Sequence, residues 1–114
     1  MDLTKINTIL AKLSYKVISV LGDRLRKIIL YGSYSRGDYF DDSDIDIMVL
    51  ANINDEIELQ ELEKFLWNIG WDIGTEYDII VSLSIKDYTH FHEWIDAMAY
   101  YKNINNEGIV LYGS

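Results

Sequence analysis

Hydrophobic residues recur every three or four positions in three parts of the chain. From Leu3 to Leu21 this spacing describes one stripe along an α-helix. A second stripe follows Asn54 or Asp55, either of which is a suitable helix N-cap, and Gly70 is well placed to end that helix. A third stripe, rich in aromatic residues, runs from position 87 to about position 106. The pattern therefore predicts three helices.

Three shorter segments have the composition of β-strands: Arg26 to Tyr31, Asp44 to Leu50, and Glu76 to Leu83. A further apolar segment, Ile109 to Tyr112, follows the last predicted helix. Together with the helices, these segments predict an α/β (α+β) fold, in which a three- to four-stranded mixed sheet is flanked by helices. The 114 residues contain no internal repeat, and we expect a single domain that spans residues 1–114.

Charge and composition exclude several functional classes. Nineteen acidic residues against ten basic ones give a net charge of −9, which excludes a basic module that binds nucleic acid through its phosphates. The chain has no cysteine, so disulfides, thiolate zinc sites and cysteine nucleophiles are excluded as well. Lys5, Lys12 and Lys16 interrupt the apolar stretch that a signal peptide needs, and no apolar run reaches membrane-spanning length. We expect a cytoplasmic protein without a membrane partner.

Two carboxylates at the start of the second predicted strand form a candidate metal site. Residues i and i+2 of a strand project to the same side, so Asp44 and Asp46 have β-carbons roughly 6 to 7 Å apart. Asp78 near the start of the next strand is the third candidate, with Glu76 as its rival. At an effective dielectric constant near 20, like charges about 5 Å apart repel by about 3 kcal/mol, which a bound cation relieves. Oxygen ligands favour Mg²⁺ or Mn²⁺.

The loop that precedes these carboxylates has features of a phosphate-binding turn. Gly32 and Ser33 follow the first predicted strand, where backbone N–H groups and a hydroxyl can hold an anionic phosphate. Ser33 to Arg36 is long enough for one helical turn. Arg36 is our candidate for a direct contact with a triphosphate. The alternative is a surface ion pair between Arg36 and Asp38, which contributes little to stability.

The order of these residues resembles a known signature. Gly32-Ser33 is followed by ten residues and then by Asp44-Ile45-Asp46. This resembles the DNA polymerase β-type nucleotidyltransferase superfamily, and Gly-Ser-Tyr-Ser-Arg-Gly-Asp with Asp-Ser-Asp-Ile-Asp is similar to its minimal nucleotidyltransferase (MNT) branch. A Gly-Ser pair or an Asp-x-Asp alone is a weak signal, whereas the combination at this spacing after a strand is specific.

The resemblance implies a reaction and a role for each residue. MNT proteins transfer a nucleoside monophosphate, usually AMP from the co-substrate ATP, to an acceptor hydroxyl. Asp44 and Asp46 would hold two Mg²⁺ ions, with Mn²⁺ as a possible substitute, and Gly32 and Ser33 would hold the β- and γ-phosphates. Asp78 would complete the metal site on the acceptor side and help to deprotonate the acceptor.

The resemblance also implies a partner. Larger drug-modifying nucleotidyltransferases carry an added helical domain that helps to bind the acceptor, and this chain has no room for one, so we expect a second protein to supply that surface. MNT proteins commonly neutralise HEPN ribonuclease toxins, in some cases by adenylylating a tyrosine. We therefore expect an antitoxin whose HEPN toxin is both partner and substrate. A non-catalytic antitoxin that masks its toxin, or an adenylyltransferase of aminoglycoside-like small molecules, are the alternatives.

The aromatic last third favours structural roles. His90 and His92 point apart in a helix, because residues i and i+2 do not face each other, and we expect both at the surface. The other aromatic and aliphatic residues are expected in the core, although Tyr100 and Tyr101 are adjacent and cannot both face inward.

Overall fold

The computed structural model describes residues 3–40 and 42–113. The described helices are α1 (Leu3–Leu21), α2 (Ser33–Arg36), α3 (Glu56–Tyr77), α4 (Tyr88–Trp94) and α5 (Ala99–Glu107). The strands are β1 (Leu25–Tyr31), β2 (Ile45–Ala51), β3 (Val81–Asp87) and β4 (Ile109–Tyr112), and a short 3₁₀ turn, Gly22–Arg24, joins α1 to β1.

The strands form one mixed sheet in the order β3-β2-β1-β4. Strand β1 is antiparallel to both β2 and β4, whereas β2 and β3 are parallel and are connected by the crossover helix α3. The register places Tyr31 opposite Asp46 on one side and Ser82 beside Asp46 on the other. The predicted mixed sheet with flanking helices is confirmed, and the terminal apolar segment is its fourth strand.

Helices cover both faces of the sheet. Helices α1 and α3 pack with Ile28 and Leu30 of β1 in one cluster, and Ile29 packs with α4 and α5 in the other. Because side chains alternate along a strand, Ile45 and Ile47 face the first cluster and place Asp46 on the side of α5. This alternation directs the second carboxylate of the motif towards the last helix.

Helix α3 is longer than the glycine pattern predicts. Gly70 does not end it; the helix continues to Tyr77, and Asp78, with a left-handed φ of 55°, is its C-cap. The physical reason is packing. A Cβ on Gly74 would lie 2.5 Å from the carbonyl oxygen of Ile79, so this glycine lets the helix approach the chain that enters β3. The predicted strand from Glu76 is therefore wrong in its boundaries, since β3 begins at Val81.

The aromatic last third contains two helices in place of one. Asp87 caps α4 by accepting a hydrogen bond from the backbone N–H of His90 at 3.1 Å, and α5 begins after Met98. His90 and His92 are exposed, as predicted. Tyr101 is buried while Tyr100 is not.

No helix in the described part of the chain has the length and apolar character to cross a membrane.

Candidate active site

The turn after β1 brings the backbone close to the second carboxylate of the motif. Gly32 has φ 77° and ψ −152°, a conformation that only glycine adopts readily. A Cβ at this position would collide with Oδ2 of Asp46. The glycine is therefore required twice, for its dihedral angles and for the close approach of β1 to β2. Ser33 then begins the short helix α2, as predicted.

Asp44 and Asp46 lie at the entrance to β2 and share a cavity with the turn. The cavity has a volume of about 470 Å³ and is lined by Tyr31, Gly32, Ser33, Arg36, Ser43, Asp44, Asp46, Tyr100, Asn103, Ile104 and Glu107. Burial raises the pKa of the Asp46 carboxyl, the negative charge of Asp44 raises it further, and Arg36 partly opposes both effects. The structure therefore gathers negative charge where a cation would be favourable.

Arg36 forms the surface ion pair with Asp38 that is the alternative to a phosphate contact, and it forms a second one with Glu107. Its Nε lies 3.2 Å from a carboxylate oxygen of Asp38, and its Nη1 lies 3.6 Å from Glu107 of α5. The same side chain also lines the cavity. These exposed ion pairs are weak, so the guanidinium can exchange them for a phosphate at little energetic cost. Its phosphate role stays a prediction.

The structure does not bring Asp78 together with the other two carboxylates. Among residues 3–40 and 42–113, no three acidic or histidine side chains cluster so as to hold a metal. Asp78 lies at the end of α3 and not on a strand, and the residue of β3 in register with Asp46 is Ser82. Glu76, the alternative third carboxylate, forms an ion pair with Lys12, whose Nζ lies 2.6 Å from Oε1 of Glu76. Asp78 instead borders a second cavity, which it shares with Asp44.

Two carboxylates are nevertheless sufficient for a divalent cation of the expected type. Mg²⁺ is usually held through one or two carboxylates, with substrate phosphates and water completing its coordination. Asp44 and Asp46 provide this number of hard oxygen ligands, next to a turn suited to phosphate. The residues present therefore fit the implied Mg²⁺, with Asp44 and Asp46 as the side chains that would hold it.

Helix α5 contributes one side of the cavity, which the sequence did not predict. Tyr100 Oη lies 2.8 Å from Tyr31 Oη, and the two rings meet edge to face. Burial and the hydrogen bond with Tyr100 raise the pKa of the Tyr31 phenol, so this phenol stays neutral near pH 7. Asn103 and Glu107 lie on the same side of α5 and also line the cavity. Of these residues, only Tyr31 could have been assigned to the cavity from the sequence, because it directly precedes Gly32 of the motif.

Comparison with known proteins gives consistent matches. The family model described as a nucleotidyltransferase domain matches residues 5–111. A protein of Methanocaldococcus jannaschii that carries the provisional name of protein adenylyltransferase is 32% identical over 89 residues, which are 78% of this chain and 80% of that protein.

Solved structures share the fold. A chain from the crystal structure of a toxin–antitoxin with AMP-PNP is 25% identical, with a TM-score of 0.56, and the alignment covers 90% of this chain and 72% of that chain. A variant of the toxin–antitoxin MntA–HpeT is 24% identical, has a TM-score of 0.53, and covers 100% of this chain and 74% of that one. At that identity the second likeness supports the fold alone.

Proposed function

Because the chain belongs to the nucleotidyltransferase domain family, we propose that it transfers AMP from ATP to a hydroxyl of a cognate protein toxin and so acts as an antitoxin. We further propose that the toxin is a helical HEPN ribonuclease and that the acceptor is a tyrosine. The observation that carries the proposal is the single cavity shared by Gly32, Asp44 and Asp46. The provisional name of the M. jannaschii relative and the toxin–antitoxin structure with AMP-PNP support the acceptor and partner classes.

Each residue of the cavity has a role in this reaction. Gly32 and Ser33 hold the β- and γ-phosphates of ATP, and Arg36 turns from its surface partners towards the triphosphate. Asp44 and Asp46 hold divalent cations, which when bound supply charge neutralisation at the α-phosphate and at the leaving group. Tyr31 and Tyr100, whose rings meet edge to face, line the same cavity and exclude water from one side of the nucleotide.

The bonds that change are few. The acceptor oxygen forms a bond to the α-phosphorus of ATP, the bond from that phosphorus to the oxygen bridging it to the β-phosphate breaks, and pyrophosphate leaves. The proton of the acceptor hydroxyl passes to Asp78, which lines the second cavity together with Asp44. No covalent intermediate on the protein is required, which agrees with a site built from carboxylates and backbone.

The test is transfer of labelled AMP to a purified candidate toxin, a helical protein of the proposed HEPN class. With ATP labelled at the α-phosphate and Mg²⁺, a substoichiometric amount of this protein should add AMP covalently to the toxin, detected by mass spectrometry. Asp44→Asn should lower the rate by roughly 10²–10³-fold or more, because it removes charge stabilisation at the reacting phosphate.

Asp72→Asn is the matched control, since Asp72 is an exposed carboxylate of α3 that lines neither cavity. Its rate should equal that of the parent. Neutralisation that needs equimolar protein and survives Asp44→Asn would instead identify an antitoxin that masks its toxin. Transfer to an aminoglycoside and not to the toxin would identify the small-molecule alternative.

A further inference from the structure

A second and larger cavity lies between α3 and the chain that enters β3. It has a volume of about 950 Å³. Its lining, which we call the tryptophan groove, consists of Asp42, Asp44, Leu66, Trp67, Gly70, Trp71, Gly74, Thr75, Asp78, Ile79, Ile80, Val81, Ser82 and Leu83. None of the roles proposed for the nucleotide uses its apolar residues.

Large apolar side chains are exposed along this groove. Trp67 and Trp71, one helical turn apart on α3, are each 62% exposed, and their rings stack 5.6 Å apart at an interplanar angle of 9°. Ile80, which also lines the groove, is 66% exposed. Clustered apolar groups of this size mark interaction surfaces, and tryptophan contributes disproportionately to the affinity of protein interfaces.

Local packing fixes the position of the helix that carries the two tryptophans. Gly70 and Gly74 allow α3 to lie close to the chain that enters β3, because Cβ atoms at these positions would press on the carbonyl oxygens of Val81 and Ile79. The two tryptophans are therefore displayed from a helix that is packed tightly against the sheet. A rigid aromatic surface of this kind loses little conformational entropy on binding.

The charge of the groove restricts its partner. Asp42, Asp44 and Asp78 lie among its lining residues, and none of the described lining residues is basic. The whole chain has a net charge of −9. A partner that carries lysine or arginine beside an apolar anchor complements this surface, whereas an acidic partner is repelled.

The groove also reaches the reacting centre. Asp44 lines both the tryptophan groove and the nucleotide cavity, so the two meet at one of the proposed cation-holding carboxylates. A polypeptide seated against Trp67 and Trp71 can therefore present a hydroxyl at Asp44 without entering the space assigned to the triphosphate. This connection to the candidate active site distinguishes the groove from an exposed apolar patch with no link to the reaction.

We propose that the tryptophan groove docks the protein acceptor: a segment with an apolar or aromatic anchor against Trp67 and Trp71, and with basic residues towards Asp42 and Asp78, places its hydroxyl at Asp44. The inference rests on the proposed function, because it takes the toxin as the acceptor. It adds the surface that selects the acceptor and the chemistry of the segment that is selected.

The test measures toxin binding and AMP transfer separately, with the chain of residues 1–114 and the purified candidate toxin. The double variant Trp67→Gln/Trp71→Gln should raise the Kd for the toxin at least tenfold, while the increase in melting temperature caused by ATP with Mg²⁺ is retained. Phe65→Gln is the matched control, because Phe65 is 59% exposed on the same helix and does not line the groove. Its Kd should be unchanged.

Two further variants separate the groove from the reaction. Asp46→Asn should abolish transfer and leave the Kd for the toxin within about twofold, because Asp46 lines only the nucleotide cavity. Asp42→Asn/Asp78→Asn should weaken binding and reduce its dependence on salt, as expected for contacts with a basic segment. Asparagine also tolerates the left-handed conformation of Asp78.

The outcomes are distinguishable. Normal toxin binding and transfer by Trp67→Gln/Trp71→Gln would overturn the docking proposal and leave the proposed function intact. Toxin binding that depends on the tryptophans, without AMP transfer by the parent, would overturn the proposed function and support the docking surface. Equal weakening by Phe65→Gln would overturn the assignment to the groove, and no binding of the toxin to the parent would overturn both proposals.

Discussion

The contact between Gly32 and Asp46 joins the two halves of the sequence motif. The turn after β1 can lie against the carboxylate only because position 32 has no side chain and adopts a left-handed φ of 77°. The carboxylate is half-buried as a result, and Asp44 adds its negative charge nearby. The site therefore stores unfavourable electrostatic energy that a ligand can relieve.

This stored energy predicts a pH-dependent effect of Asp46→Asn on the free protein. Burial and the charge of Asp44 raise the pKa of Asp46 above its ordinary value of 3.8. Between pH 3.8 and the pKa of the folded state, the Asp46 carboxyl is therefore protonated more often in the folded protein than in the unfolded chain. The contribution of Asp46 to the free energy of unfolding is therefore greatest below pH 3.8, and it decreases as the pH rises through the pKa of the folded state. Near pH 7 the substitution should stabilise the metal-free protein by no more than about 1 kcal/mol, since water screens the carboxylate.

Urea unfolding over a pH series measures this effect. The stability difference between Asp46→Asn and the parent should shrink towards zero as the pH approaches 3.8 from above. Asp72→Asn, at an exposed position of α3, should show no such trend. A destabilising effect of Asp46→Asn at neutral pH would contradict the strain assigned to the carboxylate.

Helix α3 shows how packing decides where an element ends. Asp55 starts it as a cap, its side chain accepting from the N–H of Ile57 at 3.0 Å, and this signal is local. Its end is not local, because Gly70 and Gly74 serve contacts with the segment before β3 and do not break the helix. The extra turns carry Trp71 and place Asp78 beside the tryptophan groove.

Gly74→Ala should therefore lower the free energy of unfolding, although alanine has a higher helix propensity than glycine. Alanine in a helix interior is ordinarily favoured over glycine by about 1 kcal/mol. At position 74 the new Cβ would lie 2.5 Å from the backbone carbonyl of Ile79, so we expect a loss of roughly 1–3 kcal/mol in the free energy of unfolding. Thr75→Ala, at the exposed neighbouring position, should stay within about 0.5 kcal/mol of the parent in urea unfolding. Stabilisation by Gly74→Ala would refute the close packing.

The whole molecule assembles the candidate site from three parts of the chain. The end of β1, the entrance to β2 and one side of α5 meet around one cavity, although α5 is more than fifty residues from the motif. The antiparallel pairing of β1 with β2 sets Tyr31 opposite Asp46, and the second hydrophobic cluster holds α5 above them. Ligand binding to this cavity should consequently stabilise the complete fold.

Melting with ATP and Mg²⁺ tests that coupling. A ligand at about 100 times its Kd adds about 2.7 kcal/mol, which for a domain of this size raises the melting temperature by roughly 10 °C. Asp46→Asn should lose most of the increase, whereas Asp72→Asn should keep it. The measurement is differential scanning fluorimetry with ATP and Mg²⁺ together and with each alone. An unchanged melting temperature in the parent with both ligands would count against the site.

The sequence by itself determined most of the elements and the spacing of the motif. The apolar period of α1, the β-branched composition of β1 and the Asp-x-Asp at the entrance to β2 are local properties, and local backbone preferences are readable from neighbouring residues. They predicted the mixed sheet, the short helix at Ser33, and the proximity of Gly32 to the carboxylates.

Only the tertiary structure decided which distant side chains share a cavity. The position of Asp78 off the strand, the tyrosine wall from α5 and the exposed tryptophan pair all depend on contacts between segments far apart in the chain. A helix end is chosen by the packing energy of the whole fold, which outweighs the small local preference of a glycine. The motif could therefore be recognised from its residues, while the position of Asp78 and the lining of the two cavities required the three-dimensional arrangement.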